Sequence, residues 1–282
     1  MDFSVIIINY KQKDFILNCV ESIKENLKCS FEIIIVNNSP EDDLSTLKGV
    51  TIINNLNKGF SQANNLAANH AQGNYLLFLN SDTVLKKDFS QGFLTDFKDK
   101  EFGAAGLGLV YPDGRYQLSY WNENKFFNEI KNKKIEKEFK NKYQVVTKEY
   151  NDIIKEVDWV SGAALIMKKD IFEGIKGFDE DYFLFYEDAD LCKRLKLKGD
   201  NIYFYPFDGL IHYKGENVNK TFLTDTYYYS KKSQLLYYKK HNSLYERTLL
   251  RIYLLLKFTF RAMTERKDIN MKVLKLLFGA EK

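Results

Sequence analysis

The stretch FSVIIINY at residues 3–10 is a short run of β-branched and apolar residues that ends in a polar pair, Asn9 and Tyr10. Such a run is typical of a strand that is buried on both faces of a parallel sheet. Two similar runs follow, FEIIIVNN at 31–38 and NYLLFLN at 74–80. Apolar residues at helical spacing separate the runs, and strands that alternate with helices predict βαβ units and a mostly parallel sheet. We therefore predict an α/β fold.

The remaining elements follow from the same patterns. In the first half of the chain we expect helices over 14–27 and 61–71 and a strand over 50–55. Further along, DWVSGAALIM at 158–167 predicts a strand, and FLFYEDADLCKRLKL at 183–197 predicts a helix entered through an acidic turn. Residues 122–156 are rich in Lys, Glu and Asn and indicate an insertion or a lid.

Polar residues follow the predicted strands at their carboxyl ends. In open α/β sheets, ligands bind at the carboxyl ends of the strands, so this regularity predicts a binding site along one edge of the sheet. Asparagine also suits turns, which leaves a structural role open for any one of these residues. The residues are Asn9, Tyr10, Asn37, Asn38, Asn54, Asn55 and the stretch 80–82.

The absence of three glycine motifs argues against several classes of nucleotide-binding and hydrolytic protein. The chain has no G-x-G-x-x-G after the first strand, no G-x-x-x-x-G-K-[ST] and no G-x-S-x-G. Their absence argues against a dinucleotide fingerprint, a P-loop NTPase and a nucleophile-elbow hydrolase. A divalent cation that bridges phosphates to a carboxylate is the alternative to a glycine-rich phosphate cradle.

Two residues are candidates for holding such a cation. Asp82, in the string NSDT after the fourth predicted strand, is placed to ligate Mg²⁺ or Mn²⁺, although an Asp after a strand is often only a helix cap. His212 ends the later string GLIH, and its neutral imidazole can complete the site, although a lone His is more often structural.

Three carboxylates stand close together in the string EDAD, at Glu187, Asp188 and Asp190. Neighbouring carboxylates resist joint ionisation, so one of their pKa values can rise toward that of a general base. Asp190 lies four residues before Arg194, a spacing that favours an ordinary surface ion pair. Asp188 has no such partner in the local sequence and is the better catalytic candidate.

Composition excludes several classes of protein. Of the 282 residues, 45% are hydrophobic, a share that rules out wholesale disorder. Cys19, Cys29 and Cys192 show no paired spacing, which argues against a disulfide scaffold or a cysteine zinc site and fits a reducing cytoplasm. No run approaches the ~18 apolar residues that span a bilayer, and Met1 leads straight into the first strand without a secretion signal.

The net charge of +4 hides an uneven distribution. Residues 226–282 hold 13 Lys and Arg against 4 Asp and Glu, a surplus of +9, while the preceding residues carry −5. At about 100° per residue, the basic side chains of this tail fall on one helical face and large apolar side chains fall largely on the other. The basic residues are Arg247, Arg251, Lys257 and Arg261, and the apolar residues are Ile252, Leu255, Leu256, Phe260 and Met263.

This tail pattern is typical of an amphipathic helix that lies in a membrane interface with its basic side toward anionic headgroups. The alternative is a helix that packs on the rest of the chain or on a second subunit. The tyrosine-rich stretch 227–238 fits either an interfacial belt or a homodimer contact. The acidic body and the lack of a nucleic-acid motif argue against a nucleic-acid partner.

Eight strings of this chain, in order and at compatible spacing, resemble the family 2 glycosyltransferases, which are inverting enzymes of the GT-A fold. Within that family, the chain is most similar to bacterial rhamnosyltransferase-like members that build O-antigen and capsule. The resemblance extends over residues 3–215. The strings are SVIIINY, EIIIVNNS, NKGFSQANN, YLLFLNSDT, YPDGRYQ, DWVSGAALIM, GFDEDYFLFYEDADLCKRL and IHYKG.

The resemblance implies a Rossmann-like GT-A catalytic domain at 1–225, with a mostly parallel central sheet, flanking helices and the insertion or lid at 122–156. The basic amphipathic helical tail at 226–282 follows it as a C-terminal extension. It also implies a place for the protein in the cytoplasm, peripheral to the inner face of the plasma membrane.

The resemblance assigns the nucleotide-binding positions residue by residue. Asn9 and Tyr10 fill the places that contact the base and the ribose. Asn37 stands where relatives have an Asp that accepts from the pyrimidine N3–H, and a neutral amide oxygen can also accept. The string NKGFSQANN supplies the other residues around the nucleotide and the sugar, which are Asn57, Gly59, Phe60 and Asn64.

The resemblance also implies the chemistry. At the family's Asp-x-Asp position Asn80 replaces the first Asp, and Asp82 remains to hold Mg²⁺ or Mn²⁺ together with His212. Asp188 takes the position of the catalytic base, which deprotonates an acceptor hydroxyl for direct attack on the anomeric carbon, with inversion. The implied donor is a dTDP- or UDP-sugar of rhamnose or a hexose. The implied acceptor is a lipid-linked saccharide in cell-surface polysaccharide synthesis.

Two other functions remain open. Asn37 and Asn80 both replace acids, which suits a non-catalytic sugar-nucleotide-binding subunit of a polysaccharide complex. A sugar nucleotidyltransferase shares the α/β scaffold and the cation, but it usually has a glycine-rich basic loop after the first strand, where this chain has YKQKDF at 10–15.

Overall fold

An eight-stranded sheet forms the centre of the protein, whose computed structural model describes residues 1–141, 153–213, 220–265 and 267–279, with the backbone alone at 137–141 and 220–225. In spatial order the strands are β10 (Lys155–Val157), β13 (Ile202–Tyr205), β6 (Ala104–Leu107), β12 (Ala164–Lys168), β4 (Tyr75–Asn80), β1 (Phe3–Asn9), β2 (Phe31–Asn37) and β3 (Thr51–Asn54). Six strands run in one direction, and β10 and β12 run against them. The predicted mostly parallel sheet is confirmed.

Strand β1 lies between β2 and β4, and every one of its residues is buried. Alternate side chains of a strand point to opposite faces of the sheet. Val5 and Ile7 therefore enter the core on one face, and Ile6 and Ile8 enter the core on the other. An apolar run without alternation is what this double burial requires.

Helices cover both faces of the sheet. On one face lie α1 (Lys13–Asn26) and α3 (Ser90–Asp96), and on the other lie α2 (Phe60–Ala68), α5 (Lys169–Gly174) and α6 (Glu187–Lys198). This arrangement gives three layers, helix, sheet and helix, and it leaves the carboxyl ends of the parallel strands open at one edge.

Two small sheets extend that edge. One has four strands, in the order β5 (Thr83–Leu85), β14 (Leu210–His212), β7 (Leu109–Val110) and β8 (Tyr116–Gln117). The other pairs β9 (Tyr120–Trp121) with β11 (Trp159–Val160). Both cation candidates lie at the four-stranded sheet, because Asp82 directly precedes β5 and His212 ends β14.

Two predicted elements differ from the observed ones. The strand predicted over 158–167 is two strands in different sheets, β11 and β12, because the chain turns at residues 161–163. The helix predicted from residue 183 begins only at Glu187, because Phe185 and Tyr186 both have left-handed backbone angles. Both differences shape the site described below.

The predicted C-terminal helical extension is confirmed. It consists of α7 (Lys220–His241), α8 (Leu244–Glu265) and α9 (Asp268–Phe278). Leu250, Leu254 and Phe258 of α8 are buried in a third core with Tyr182 and Ala189 of the body. The tail therefore packs on the rest of the chain, which was the alternative to a tail held only by a membrane.

Tyr237 and Tyr238 are 2% and 1% exposed within this third core. The prediction of an interfacial belt or a homodimer contact at 227–238 is therefore wrong for these two residues, because the chain itself buries them. No helix of the described part of the chain is long and apolar enough to cross a membrane.

Parts of the predicted insertion at 122–156 form regular structure. Helix α4 (Phe126–Asn141) packs against α8, and β10 forms the edge of the central sheet. Residues 142–152 lie outside the described residues, so the lid stays a prediction. The predicted domain boundary at 225 also stays a prediction.

Candidate active site

Three asparagines line the carboxyl ends of β1, β2 and β3. Asn9 pairs with Asn37, and Asn37 with Asn54, in the parallel register of the strands. Their amides form a chain, because Asn9 Nδ2 donates to Asn37 Oδ1 at 2.9 Å and Asn37 Nδ2 donates to Asn54 Oδ1 at 3.2 Å. Asn9 Oδ1 is buried and has no hydrogen-bond partner, so a ligand that donates there would satisfy it.

Asn37 uses all of its side-chain hydrogen-bonding capacity within the protein. Its Oδ1 also accepts from Ser39 N at 3.1 Å, and its Nδ2 also donates to Asp42 O at 3.1 Å. An amide has two donor hydrogens and two acceptor positions, so none is left for a base in this arrangement. The predicted contact between Asn37 and a pyrimidine therefore requires one of these bonds to open.

A carboxylate that the sequence analysis did not single out lies beside these amides. Asp42 Oδ2 accepts from Asn9 Nδ2 at 2.9 Å, and Asp42 is half-buried. It stands in the loop after β2, where no periodic pattern marks it. This acid partly compensates for the missing one at Asn37, because it returns a negative charge to the same strand end.

The loop before α2 packs on the turn that precedes α6. Gly59 has φ +109°, and a Cβ on it would lie 2.7 Å from Phe183 O, so only glycine fits. Phe60 N donates to Phe183 O at 2.7 Å. Asn57 Oδ1 accepts from Gly59 N at 3.2 Å, while Asn64 is buried and donates to Phe60 O at 2.9 Å. Gly59, Asn57 and Asn64 therefore have structural tasks besides the predicted ligand contacts.

Asp82 and His212 lie side by side, with Asp82 Oδ1 at 3.3 Å from His212 Nε2, and both side chains are nearly buried. Gln117 orients the imidazole, because its Oε1 lies 2.6 Å from His212 Nδ1 while its Nε2 donates to His212 O at 3.4 Å. The amide oxygen accepts from the Nδ1–H, which makes Nε2 the ring nitrogen that faces Asp82.

This donor set fits a divalent cation. A nitrogen lone pair and a carboxylate oxygen that face each other in a buried place repel unless a proton or a cation lies between them. Imidazole and carboxylate are suitable ligands for Mn²⁺, and a hydrogen bond from the other ring nitrogen is the usual support of a ligating His. Among the described residues, no group of three or more Asp, Glu, His or Cys side chains is arranged to hold a metal ion.

Asp188 lies in the first turn of α6 and is held by two backbone amides. Gly162 N donates to its Oδ2 at 2.9 Å, and Ala189 N donates to its Oδ1 at 2.8 Å. Burial raises the pKa of Asp188 above its ordinary value, and the two N–H donors lower it in part. A carboxylate with a raised pKa is a stronger base than an exposed one, as a general base requires.

The two halves of the candidate site meet at residues 162–163. Gly162 N holds Asp188, and the next residue, Ala163, accepts from Asn80 N at 3.0 Å through its carbonyl. Asn80 Nδ2 lies 3.4 Å from His212 Nε2. The interruption between β11 and β12 thus joins the candidate base to the candidate cation ligands.

The other carboxylates of the EDAD string have different surroundings. Asp190 pairs with Arg194 at 2.7 Å, as its spacing predicted, and also with His241 Nε2 at 2.6 Å. The predicted surface location of this pair is wrong, because Asp190 is only 1% exposed. Glu187 is 6% exposed, and its Oε2 has no hydrogen-bond partner. Burial first, and then the neighbouring charge of Asp188, raise the pKa of Glu187 well above its ordinary value.

Gln117 and Asp42 belong to the candidate site, although neither residue was predicted from the sequence. Gln117 could have been found from the sequence, because it ends the string YPDGRYQ, which is part of the family resemblance. Its partner is His212, 95 positions further along the chain, and only the pairing of the small sheet brings them together. Asp42 had no signal beyond its position five residues after a strand end.

Comparisons with known proteins identify the family and the fold of this chain. The model of the family "Glycosyl transferase family 2" matches residues 4–159. Rhamnosyltransferase WbbL of Escherichia coli (strain K12) is 26% identical over 269 residues, which cover 88% of this chain and 97% of WbbL.

Two solved structures are similar in fold. S. aureus TarS superposes with a TM-score of 0.54 at 15% identity over 94% of this chain, and GalNAc-T7, solved with UDP, GalNAc and Mn²⁺, superposes with 0.55 at 12% identity over 84%. This chain spans 44% of the TarS chain and 50% of the GalNAc-T7 chain. The shared fold is GT-A. Since the family match extends over more than half of the chain, this protein belongs to glycosyl transferase family 2.

Proposed function

We propose that this protein is an inverting glycosyltransferase that moves rhamnose or a hexose from a dTDP- or UDP-sugar to a hydroxyl group of a saccharide acceptor. The observation that carries the proposal is the position of Asp188, which Gly162 holds beside the strand end where Asp82 faces His212. A base and a diphosphate-neutralising group on opposite sides of one short turn are what a displacement at an anomeric carbon needs.

In this mechanism, Asp188 accepts the proton of the acceptor hydroxyl as that oxygen attacks the anomeric carbon. The bond from that carbon to the diphosphate oxygen breaks in the same step, so one attack inverts the configuration. Gly162 N–H and Ala189 N–H keep both carboxylate oxygens oriented. The raised pKa of Asp188 favours proton uptake from the hydroxyl.

Asp82 and His212 are the residues that would hold Mg²⁺ or Mn²⁺, and a bound cation would neutralise the charge that develops on the departing diphosphate. Gln117 keeps the His212 lone pair directed at Asp82. GalNAc-T7, which has a similar fold, was solved with UDP, GalNAc and Mn²⁺, and this supports a divalent ion here.

The strand ends of β1 to β3 are the proposed nucleotide site. Asn9 offers an unpartnered buried oxygen, and Asp42 offers a half-buried carboxylate. Both are acceptors, so they suit groups that donate, such as the imide N–H of uracil or thymine and the ribose hydroxyls. The similarity to a rhamnosyltransferase over 88% of the chain supports rhamnose as the transferred sugar and cell-surface polysaccharide synthesis as the process.

The acceptor is proposed to be lipid-linked and reached from the membrane surface through the tail. On α8, the outward residues Ile252, Leu256, Phe260 and Met263 are 50 to 77% exposed, while Leu250, Leu254 and Phe258 face inward. Lys257 and Arg261 lie on the packed side of the helix, against Phe258 and Tyr227, and the exposed apolar row fits insertion into a membrane interface. This arrangement keeps the helix packed on the body and still presents an apolar face outward.

The variant Asp188→Asn tests the proposed reaction. We expect turnover, measured as UDP or dTDP released from the sugar nucleotides, to fall by at least ~100-fold, because the amide cannot take up the proton. Nucleotide affinity, measured by calorimetry with Mn²⁺, stays at the wild-type value. In the wild type, the rate falls as the pH drops through the raised pKa of Asp188, above the ordinary 3.8 of an aspartate.

Asp99→Asn, which changes an exposed carboxylate in the turn after α3, is the matched control and keeps full turnover. If Asp188→Asn retains more than about a tenth of the wild-type rate, the base lies elsewhere. Binding of nucleotides without any release of UDP or dTDP by the wild type would instead support the non-catalytic subunit.

A further inference from the structure

The turn before α6 has an unfavourable backbone. Phe185 has φ 69° and Tyr186 has φ 67°, so two consecutive residues with large side chains occupy the left-handed region. That region is costly for any residue with a Cβ, and such conformations persist only where the surroundings impose them. The turn leads directly into Asp188, so whatever imposes its shape also decides where that carboxylate lies.

Helix α7 of the tail supplies part of the restraint. Ser233 Oγ donates to Leu184 O at 2.8 Å, and the ring of Tyr229 stacks on Phe183 with centroids 4.5 Å apart. The ring of Tyr237 lies 5.6 Å from that of Tyr186. Every residue from 183 to 186 except Phe185 therefore has a described contact with α7.

The second restraint is a buried polar cluster, which consists of Glu129 of α4 with Lys231 and Gln234 of α7. Tyr186 OH donates to Glu129 Oε1 at 3.3 Å, and Gln234 Nε2 donates to Glu129 Oε2 at 2.5 Å. Lys231 Nζ donates to Gln234 Oε1 at 2.8 Å. These side chains are between 1% and 8% exposed, so the cluster is almost shielded from water.

A buried charged cluster contributes little net stability to the contact between two helices. Buried charged groups lose their hydration, and apolar residues of similar volume commonly give equal or higher stability. Burial raises the pKa of Glu129 and lowers the pKa of Lys231 to about 8, which shows how strongly both charges are penalised here. The position of the cluster indicates a different role. Glu129 binds the hydroxyl of Tyr186, which lies two residues before Asp188.

We propose that Glu129, Lys231 and Gln234 are positioning residues that act through Tyr186 to hold the carboxylate of Asp188 against Gly162 N. The tail therefore completes the active site, in addition to any contact with a membrane. This inference rests on the proposed role of Asp188 as base. A displacement of about 1 Å at a catalytic group can cost ~100-fold in rate, so a small relaxation of this turn has a measurable effect.

Two variants test the proposal, Tyr186→Phe and the double variant Glu129→Leu with Lys231→Met. The first removes one hydroxyl group, and the second replaces the charged cluster with apolar residues of similar size. We expect both to reduce kcat for release of UDP or dTDP by about tenfold or more, with the Kd for the nucleotide unchanged. We expect the double variant to stay folded at the assay temperature, because the removal of two buried charges offsets the loss of both partners of the Gln234 amide.

A measurement that needs no turnover accompanies the kinetics. The amide proton of Gly162 donates to Asp188, so its NMR chemical shift reports whether the carboxylate remains in place. We expect this signal to move upfield in both variants. Tyr245→Phe is the matched control, because Tyr245 lies on α8 and is 65% exposed, and it should leave both the signal and kcat unchanged.

An unchanged Gly162 signal in both variants overturns the proposal, and so does unchanged kcat. Asp188→Asn in the same assay separates the two proposals. If that variant stays active, the proposed base is wrong. If it is inactive while Tyr186→Phe and the double variant behave as wild type, only the positioning role fails.

Discussion

One hydrogen bond orients the amide of Gln117 and thereby determines which ring nitrogen of His212 carries the hydrogen. Gln117 Nε2 donates to the His212 carbonyl, so the amide oxygen of Gln117 is the atom that meets His212 Nδ1. With Nδ1 protonated, a neutral His212 presents its other nitrogen as a ligand. Gln117 is thus expected to control cation affinity without touching the cation, as outer ligands of metal sites commonly do.

Replacing Gln117 with Leu tests this role. We expect the Mn²⁺-dependent part of UDP or dTDP affinity to fall by about 10- to 100-fold, because the ring of His212 loses its orientation and its fixed tautomer. Calorimetry with and without Mn²⁺ measures the difference, and Asp82→Ala should abolish it. Gln91→Leu, at an exposed position, is the control. If the Mn²⁺ dependence of Gln117→Leu equals that of the wild type, Gln117 does not support a cation.

At the scale of elements, the site depends on how closely α2 approaches the turn before α6. Ser61 Oγ donates to Tyr182 O at 2.8 Å, and Phe60 N donates to Phe183 O at 2.7 Å. Gly59 lets the loop before α2 come this near, because it has no Cβ. Two hydrogen bonds thus hold the N-terminal end of α2 against the turn.

Gly59→Ala is expected to destabilise the protein by about 1–3 kcal/mol and to reduce turnover more than nucleotide binding. The added methyl group would lie 2.7 Å from Phe183 O and push the turn away from α2. Thermal unfolding and the nucleotide-release assay measure the two effects. Gly114→Ala is matched to it, since Gly114 has φ +83° and open space around its Cβ position. Equal losses in the two variants would mean that backbone strain, and not the clash, causes the effect.

At the scale of the whole molecule, the tail has an inward and an outward role. Its inward face forms the third core with the body, and its outward face presents an apolar row on α8. Helix α9 adds Met271 and Phe278, which are 52% and 74% exposed. Apolar side chains scattered singly on a surface need no explanation, but a row along one helix does.

The outward face predicts binding to anionic vesicles. We expect the full chain to float with vesicles that contain anionic lipid and to lose most of this binding when Leu256, Phe260 and Met263 are all changed to Ser. High salt should weaken it as well, because the basic residues contribute through charge. Leu197→Ser is the control, since Leu197 is 69% exposed on α6. Failure of the wild type to float rules out the membrane contact and leaves the inward role untouched.

Local sequence patterns predict much of this architecture. The run from Phe3 to Asn9 predicted a doubly buried strand, and the polar residues at the strand ends predicted the edge where the candidate site lies. The spacing of Asp190 and Arg194 predicted their ion pair, which the structure contains in a buried place and not at the surface as expected. The strand and the pairing of these two residues were predictable because periodicity and short spacing depend on the neighbours of a residue within a single element.

The contacts that make the site specific join elements far apart in the chain. Gln117 meets His212, Gly162 meets Asp188, and Tyr186 meets Glu129 through sheet pairing and helix packing. The saturation of Asn37 and the left-handed turn before α6 likewise depend on neighbours from other elements. Local sequence does not predict such partners, because strand register and helix packing are determined by the burial of the whole core. The sequence therefore determines which chemistry is present, and the folded chain determines which groups act together.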